Sequence, residues 1–258
     1  MNNPTVNLEK AGGHQVLAAA GKTILRPGGR TGTEQLFRWA DFKAGDTVLE
    51  LASSFGYSAI ALAQRFNVQV VGVEKNPESV ARARANIQAA GLQNQVQIIE
   101  GDIFDLDALN QKFDWVFAEA ILSMQSAPGK AKILEQIRNC LKPGGKFLSH
   151  ELLAQNHEEE IRQELGPLAH TNTTPISENN WRALYEQTGL KVEQHKTGPI
   201  ALLNLPQNIK DEGILPTLKI VWNVLTKPVI RKRVLTMRRV FKKYQNDLGY
   251  IVLCAVAE

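Results

Sequence analysis

Four titratable side chains stand at or beside the ends of short apolar runs, and their order along the chain points to one shared site. Glu50 sits in Val48-Leu49-Glu50-Leu51, Glu74 ends Val68–Val73, Glu119 follows Phe113–Ala118 and His150 follows Phe147-Leu148-Ser149. An acid at a strand tip accepts hydrogen bonds from cationic or hydroxylic ligand groups. On the second strand of a nucleoside-binding sheet, it typically takes ribose hydroxyls. A histidine in this place has the chemistry of a general base, with a structural role as the alternative. After Glu50 the chain reads Ala52-Ser53-Ser54-Phe55-Gly56. Small residues here let the backbone approach a ligand closely, while the N–H groups of a following helix point at it.

The elements that must carry these groups are legible as strand, tight turn and helix. Val48 to Leu51 is short, apolar and bounded by turn residues, as a buried strand should be. Tyr57 to Phe66 has helical spacing and composition, and Val68 to Val73 is the second strand. Asn76-Pro77 opens the next helix as N-cap and first helical residue, and Gly91 closes it. Val96–Ile99 is the third strand, Phe113–Ala118 the fourth and Lys146–Ser149 the fifth. A helix from Gly129 to Leu141 ends at Lys142-Pro143-Gly144-Gly145. Two parallel strands joined by a crossover helix, with acids at both tips, form a nucleoside-binding half of a doubly wound sheet.

These features resemble the S-adenosylmethionine (SAM)-dependent methyltransferases with a Rossmann-like fold. Their first motif is an acid followed by Gly at alternate positions, and here Glu50, Ala52, Ser54 and Gly56 occupy those places. The first two glycines are replaced, which restricts φ and narrows the expected methionine pocket. The dinucleotide pattern G-x-G-x-x-G is absent, which counts against NAD. The resemblance implies an α/β doubly wound, seven-stranded, mostly parallel sheet with an antiparallel edge pair. It implies SAM as cofactor, contacted by Glu50, Ala52, Ser53, Ser54, Gly56, Glu74, Lys75, Asp102, Ile103 and Glu119. Asp102 would bond the adenine amino group and Ile103 would pack on the ring. Glu119 would contact SAM, orient the acceptor or take its proton, and His150 would be the second catalytic candidate.

Composition sets the bounds. The chain has 258 residues and 43% apolar content, enough for one domain over residues 1–258. No run approaches the roughly eighteen apolar residues of a membrane span. Met1–Val6 lacks a secretory n-region and h-region. Cys140 and Cys254 lie in apolar surroundings and read as buried thiols, consistent with a cytoplasmic, reducing location. His14, His157, His170 and His195 show no zinc spacing with cysteine and no H-E-x-x-H occurs, so no metal is expected.

Two segments lie outside the core pattern. Residues 1–40 form an N-terminal helical or lid segment, with a helix within Glu9–Lys22. The turn Arg26-Pro27-Gly28-Gly29-Arg30 follows, then a helix with Thr33 at its N-cap. The turn either closes on the SAM carboxylate or the acceptor, or is a plain loop. Glu158–Leu165 reads as a short helix and Ser177–Thr188 as the family's last helix. Lys191–His195 and Gly249–Ala257 read as the final strands.

About fifty residues separate the last two strands, too many for a structureless loop. Residues 200–248 are therefore read as a helical insert, with helices over Leu215–Val224 and Val229–Tyr244. From Gly213 to Asn246 there are nine Lys/Arg and no Asp/Glu. The insert is either a packed pair with a solvated basic face, a homodimer contact among its roles, or a cap over an anionic acceptor, a phospholipid surface site or an RNA contact. Few aromatics interleave the cations, which weakens the nucleic-acid case.

The turn after the fourth strand lacks the Asn/Asp-Pro-Pro-Tyr/Phe motif of many nucleic-acid and protein amide methyltransferases. Transfer to a small-molecule acceptor, metabolite or lipid, is expected, mainly by positioning. The alternatives are an RNA or ribosome methyltransferase and a SAM-binding regulator without transfer activity.

Overall fold

A computed structural model describes residues 7–169 and 172–257. In chain order the elements are α1 (Gly13–Ala20), α2 (Gly29–Trp39), β1 (Thr47–Leu51), α3 (Tyr57–Phe66), β2 (Gln69–Glu74), α4 (Pro77–Ala89), β3 (Val96–Glu100), β4 (Phe113–Glu119), α5 (Ala127–Cys140) and β5 (Leu141–Ala154). There follow α6 (Glu158–Ala169), α7 (Glu178–Gln187), β6 (Leu190–Pro199), α8 (Leu205–Glu212), α9 (Ile214–Thr226), α10 (Pro228–Lys243) and β7 (Leu248–Ala257).

The seven strands form one sheet in the order β3-β2-β1-β4-β5-β7-β6. β1 pairs in parallel with β2 on one side and β4 on the other, so the strand order reverses between β1 and β4. A crevice opens at the carboxyl ends of strands at such a reversal. β7 runs antiparallel between β5 and β6. Two apolar layers enclose the sheet, one around Leu49, Val116, Phe147 and Trp181 and the other around Val48, Leu62, Phe117 and Val252. The alternation of Val48 and Leu49 between these layers follows from the two-residue period of a strand.

Local signals explain several boundaries. The Asn76 side chain accepts the Ser79 N–H and Pro77 starts α4. Ser177 caps α7 through the Asn180 N–H, and buried Trp181 donates from Nε1 to the Leu152 carbonyl at 3.1 Å.

Three expectations are corrected. Thr33 is not an N-cap: α2 already begins at Gly29, and its Arg30 N–H is capped at 2.8 Å by Asp211, a residue of α8. β5 does not stop at Ser149 but continues to Ala154, because β7 pairs with it as far as Ala154↔Leu248. His150 and Glu151 therefore lie within the strand. The segment between β6 and β7 holds three helices rather than two, α8 being the addition. It packs α9 and α10 onto α1 through Val16, Leu17, Ala20, Ile220, Ile230, Val234 and Met237.

Candidate active site

The β1–α3 loop is held in an uncommon backbone shape. Ala52 (φ 52°), Ser54 (φ 48°) and Gly56 (φ 76°) all adopt the left-handed conformation. This is the conformation for which alternate glycines are suited, and each non-glycine residue in it costs roughly 1 kcal/mol or more. Hydrogen bonds hold the loop in place. Glu74 accepts the Ser54 and Asn76 N–H groups, each at 2.8 Å, one on each carboxylate oxygen. Ser53 donates its backbone N–H to the Val73 carbonyl at 3.1 Å and its hydroxyl to the Glu50 carbonyl at 3.2 Å. Lys75, just past β2, and Asp102, just past β3, form an exposed pair at 2.7 Å. The Lys75 hydrogen bond, with that from the Phe104 N–H, holds the Asp102 carboxyl below its usual range. Ile103 is partly buried against the core.

Glu50 is buried, and its Oε2 has no hydrogen-bond partner. Burial pushes its carboxyl up to about 7, against the Ser53 hydrogen bond and the Arg26 charge. An orphaned buried carboxylate oxygen is costly alone and becomes favourable once a cationic donor reaches it. The amino group of a methionine moiety is such a donor, so the residues at this site fit SAM.

Glu119, at the end of β4, is also buried but well partnered. Arg26 Nε lies 2.6 Å from Oε2, Thr33 donates to Oε1 at 2.5 Å, and His150 Nδ1 lies 3.2 Å from Oε1. Burial alone would raise its pKa, but the Arg26 charge and the His150 contact hold it below the usual carboxylate value. The Arg26 guanidinium also donates to Ser58 Oγ on α3.

His150 accepts the Gly28 N–H on Nε2 at 3.0 Å, so Nδ1 carries the hydrogen that faces Glu119. Both ring nitrogens are thus engaged. A Cβ on Gly28 would lie 2.7 Å from the Tyr250 ring, and one on Gly32 would lie 2.4 Å from the His150 ring. Glycine at these positions lets the turn press onto β5 and β7.

At the sequence level Arg26 belongs to a turn read either as closing on the SAM carboxylate or the acceptor or as a plain loop, Thr33 reads as an N-cap, and Ser58 has no role in the site. The useful signal was charge arithmetic: two buried acids, Glu50 and Glu119, require a cation. Of the remaining histidines, His157 faces Asp247 at 3.5 Å and His195 faces Glu178 at 2.9 Å. His170 lies outside the described residues.

Beyond Glu119 the chain turns sharply at Ala120 (φ 56°), whose N–H donates to the His150 carbonyl at 2.7 Å. Ala120, Ser123 and Met124 form one wall of an apolar cavity of about 120 Å³. Leu17 of α1, Leu165 of α6, Met237 and Phe241 of α10, Pro27 and His14 also line it. The wall after β4 is fixed from below by Glu151. This buried carboxylate accepts the Leu122 and Ser123 N–H groups at 3.1 and 2.8 Å and the Ser123 hydroxyl at 2.7 Å. Lys130, buried nearby, donates to the carbonyls of Gln125 and Thr174, each at 2.8 Å.

Residues 42–189 match the family described as Methyltransferase domain. The chain belongs to this methyltransferase family. The match covers more than half of the chain, from the segment before β1 to the end of α7. The methyltransferase uses S-adenosylmethionine. An uncharacterized protein of Haemophilus influenzae is 32% identical over 94% of this chain and 97% of its own. A sterol 24-C-methyltransferase of Eremothecium gossypii is 30% identical over 46% of this chain and 32% of its own. Among solved structures, a SAM-dependent methyltransferase from Thiobacillus denitrificans in complex with S-adenosyl-L-homocysteine covers all of both chains, with a TM-score of 0.68 and 18% identity. That likeness is one of fold.

Proposed function

We propose that this methyltransferase acts on a small, largely apolar acceptor, metabolite or lipid, held in the cavity beside Ala120. The cavity itself carries the reading: it begins one residue past Glu119 and is lined mainly by Leu, Met and Phe side chains, with His14, Ser123 and Thr173 as its polar residues. Dry cavities of roughly 150 Å³ bind benzene-sized molecules, so a small ring or the reacting end of a longer apolar chain is of suitable size. The partial similarity to a sterol methyltransferase supports an apolar acceptor.

The bound cofactor supplies an electrophilic methyl group on a sulfonium. Glu50 would accept from its amino group, and Glu74 would hold its ribose at the β2 tip. Asp102 and Ile103 would flank the adenine, with Ser53, Ser54, Gly56 and Lys75 around the same path. Arg26, already balanced by Glu119, is placed to meet the methionine carboxylate. Glu119 and His150 then act chiefly by position: they fix the turn that separates cofactor from acceptor and exclude water. Since both nitrogens of His150 are hydrogen-bonded, transfer by alignment is favoured over transfer with a resident base. Residues 7–40 would serve as the closing segment. Cys140 and Cys254, whose thiols burial pushes up to about 12 and about 11, are inert and compatible with a cytoplasmic setting.

The test is methyl transfer from labelled SAM to a panel of apolar and polar acceptors, with wild type and Met124→Trp. The larger side chain should fill the cavity and abolish transfer, with S-adenosylhomocysteine affinity unchanged. Undiminished transfer by this variant would remove the cavity from consideration.

A further inference from the structure

On α9, six apolar residues face solvent: Ile214, Leu215, Leu218, Val221, Trp222 and Leu225. Leu215 is 79% exposed and Trp222 is 66% exposed, values foreign to a packed helix. At 3.6 residues per turn these six fall within about 120° of the helix circumference. The opposite side, through Thr217 and Ile220, is buried against α8 and α1. The outer face is therefore a continuous apolar stripe, extended by exposed Leu205 and Ile209 on α8.

Cations border the stripe. Lys219 lies on α9 itself, one turn from both Leu215 and Trp222, and Lys227 follows its last turn. Arg231 of α10 reaches the Leu225 carbonyl at 3.4 Å, joining the two surfaces at the corner between helices. Arg231, Lys232, Arg238, Arg239 and Lys242 are all exposed, with exposed Leu235 among them. Two of the nine cations do other work. Arg233 donates to four backbone carbonyls, including those of Glu9 at 2.6 Å and Leu168 at 2.7 Å, and Lys243 pairs with Glu164.

We infer that α9 and α10 dock this methyltransferase on an anionic lipid bilayer, with the α9 stripe set into the interface and the α10 cations against the headgroups. Aliphatic and tryptophan side chains flanked by Lys and Arg, with no acid between, are what such an interface selects. A nucleic acid would use the cations but leave the stripe wet. A second copy of the chain would cover the stripe but bring cations against cations. No helix among the described residues is long and apolar enough to cross a membrane; the docking inferred is a surface contact. Docking stands apart from the acceptor reading, and its test reads lipid binding alone.

The test is co-sedimentation of the full chain with phosphatidylcholine vesicles and with vesicles containing one-third phosphatidylglycerol. Binding should favour the anionic vesicles by about tenfold or more and fall as salt is raised. The double substitution Leu218→Glu, Trp222→Glu and the triple substitution Arg238→Glu, Arg239→Glu, Lys242→Glu should each weaken it by about tenfold. Trp222→Ser serves as a milder form of the first, and an unchanged melting temperature verifies each fold. Absence of vesicle binding, equal binding to both vesicle types, or binding that survives these substitutions would overturn the inference. So would a dimer in solution that Leu218→Glu, Trp222→Glu dissociates, which would assign the stripe to a second copy. Tight binding of an RNA oligonucleotide in place of vesicles would overturn it as well.

Discussion

Glu119 and His150 are register partners on adjacent parallel strands, and their side chains meet with Nδ1 and Oε1 3.2 Å apart. The far side of the same imidazole holds the Gly28 N–H. One residue thus ties the end of β4 to the turn that precedes α2.

His150→Phe should break both ties. It leaves a buried N–H without an acceptor and removes a donor from Glu119. A stability loss of about 2–3 kcal/mol is expected in urea denaturation. S-adenosylhomocysteine affinity should fall with it, while the pH profile of methyl transfer keeps its shape. A lost acidic limb at unchanged stability would instead mark His150 as a base.

Arg26→Ala should be more damaging than an exposed ion pair would suggest. Glu119 is buried, and Arg26 is its closest cationic partner at 2.6 Å. Removing one member of such a pair strands the other, at about 3 kcal/mol or more. The loss should appear in both thermal and chemical unfolding. An effect below about 1 kcal/mol would show that the pair behaves like an exposed one.

Glu50 gives the free protein an unusual pH response. Its carboxyl is raised from 4.5 to about 7 by burial. Between those values the folded state binds more protons than the unfolded state, so its contribution to stability falls as pH rises. The slope approaches about 1.4 kcal/mol per pH unit, for a total on the order of 3 kcal/mol. Glu151, likewise raised to about 7, acts in the same direction. Glu50→Gln should therefore flatten part of the decline between pH 4.5 and 7, and stabilise the free protein at pH 8. The same substitution should weaken SAM binding. Wild-type SAM affinity should strengthen as pH rises through about 7, with proton release measurable by calorimetry in buffers of different ionisation enthalpy.

Ala52→Gly and Ser54→Gly should relieve backbone strain. Both residues hold a left-handed φ, at 52° and 48°. A gain of about 0.5–1 kcal/mol each is expected in denaturant midpoints, since glycine's unfolded-state entropy offsets part of the relief. Destabilisation by either would mean that the methyl or hydroxyl group makes a compensating contact.

The sequence carried the alternation of strands and helices because each parallel strand is a short apolar run between turn residues. It carried the starts of α4 and α7 because their caps lie within four residues of the helices they serve. What it did not carry depends on distant chain. The Asp211 cap sets the start of α2 from 181 residues away. β7 sets the length of β5 from about a hundred residues on. α8 escaped notice because Leu205–Glu212 is only eight residues long and carries just two large apolar side chains, Leu205 and Ile209. Arg233 was indistinguishable from its basic neighbours until its four carbonyl partners were seen. The cavity was invisible for the same reason: its walls come from α1, α6, α10 and the turn after β4.

The position of β7 between β5 and β6 imposes an order on assembly. Strands β1 to β5 need nothing beyond Ala154 to pair with one another. β6, although made earlier than β7, has no edge to join until β7 has taken its place, and α8, α9 and α10 intervene. Closing a loop of that length adds little to the equilibrium cost, because loop entropy grows only logarithmically. Its effect falls on rate. As the chain is synthesised, β6 waits in solvent for the ten-residue strand β7 to arrive. The slowest step of folding should be the threading of β7 into its slot, and that interval is when the chain is most exposed to aggregation.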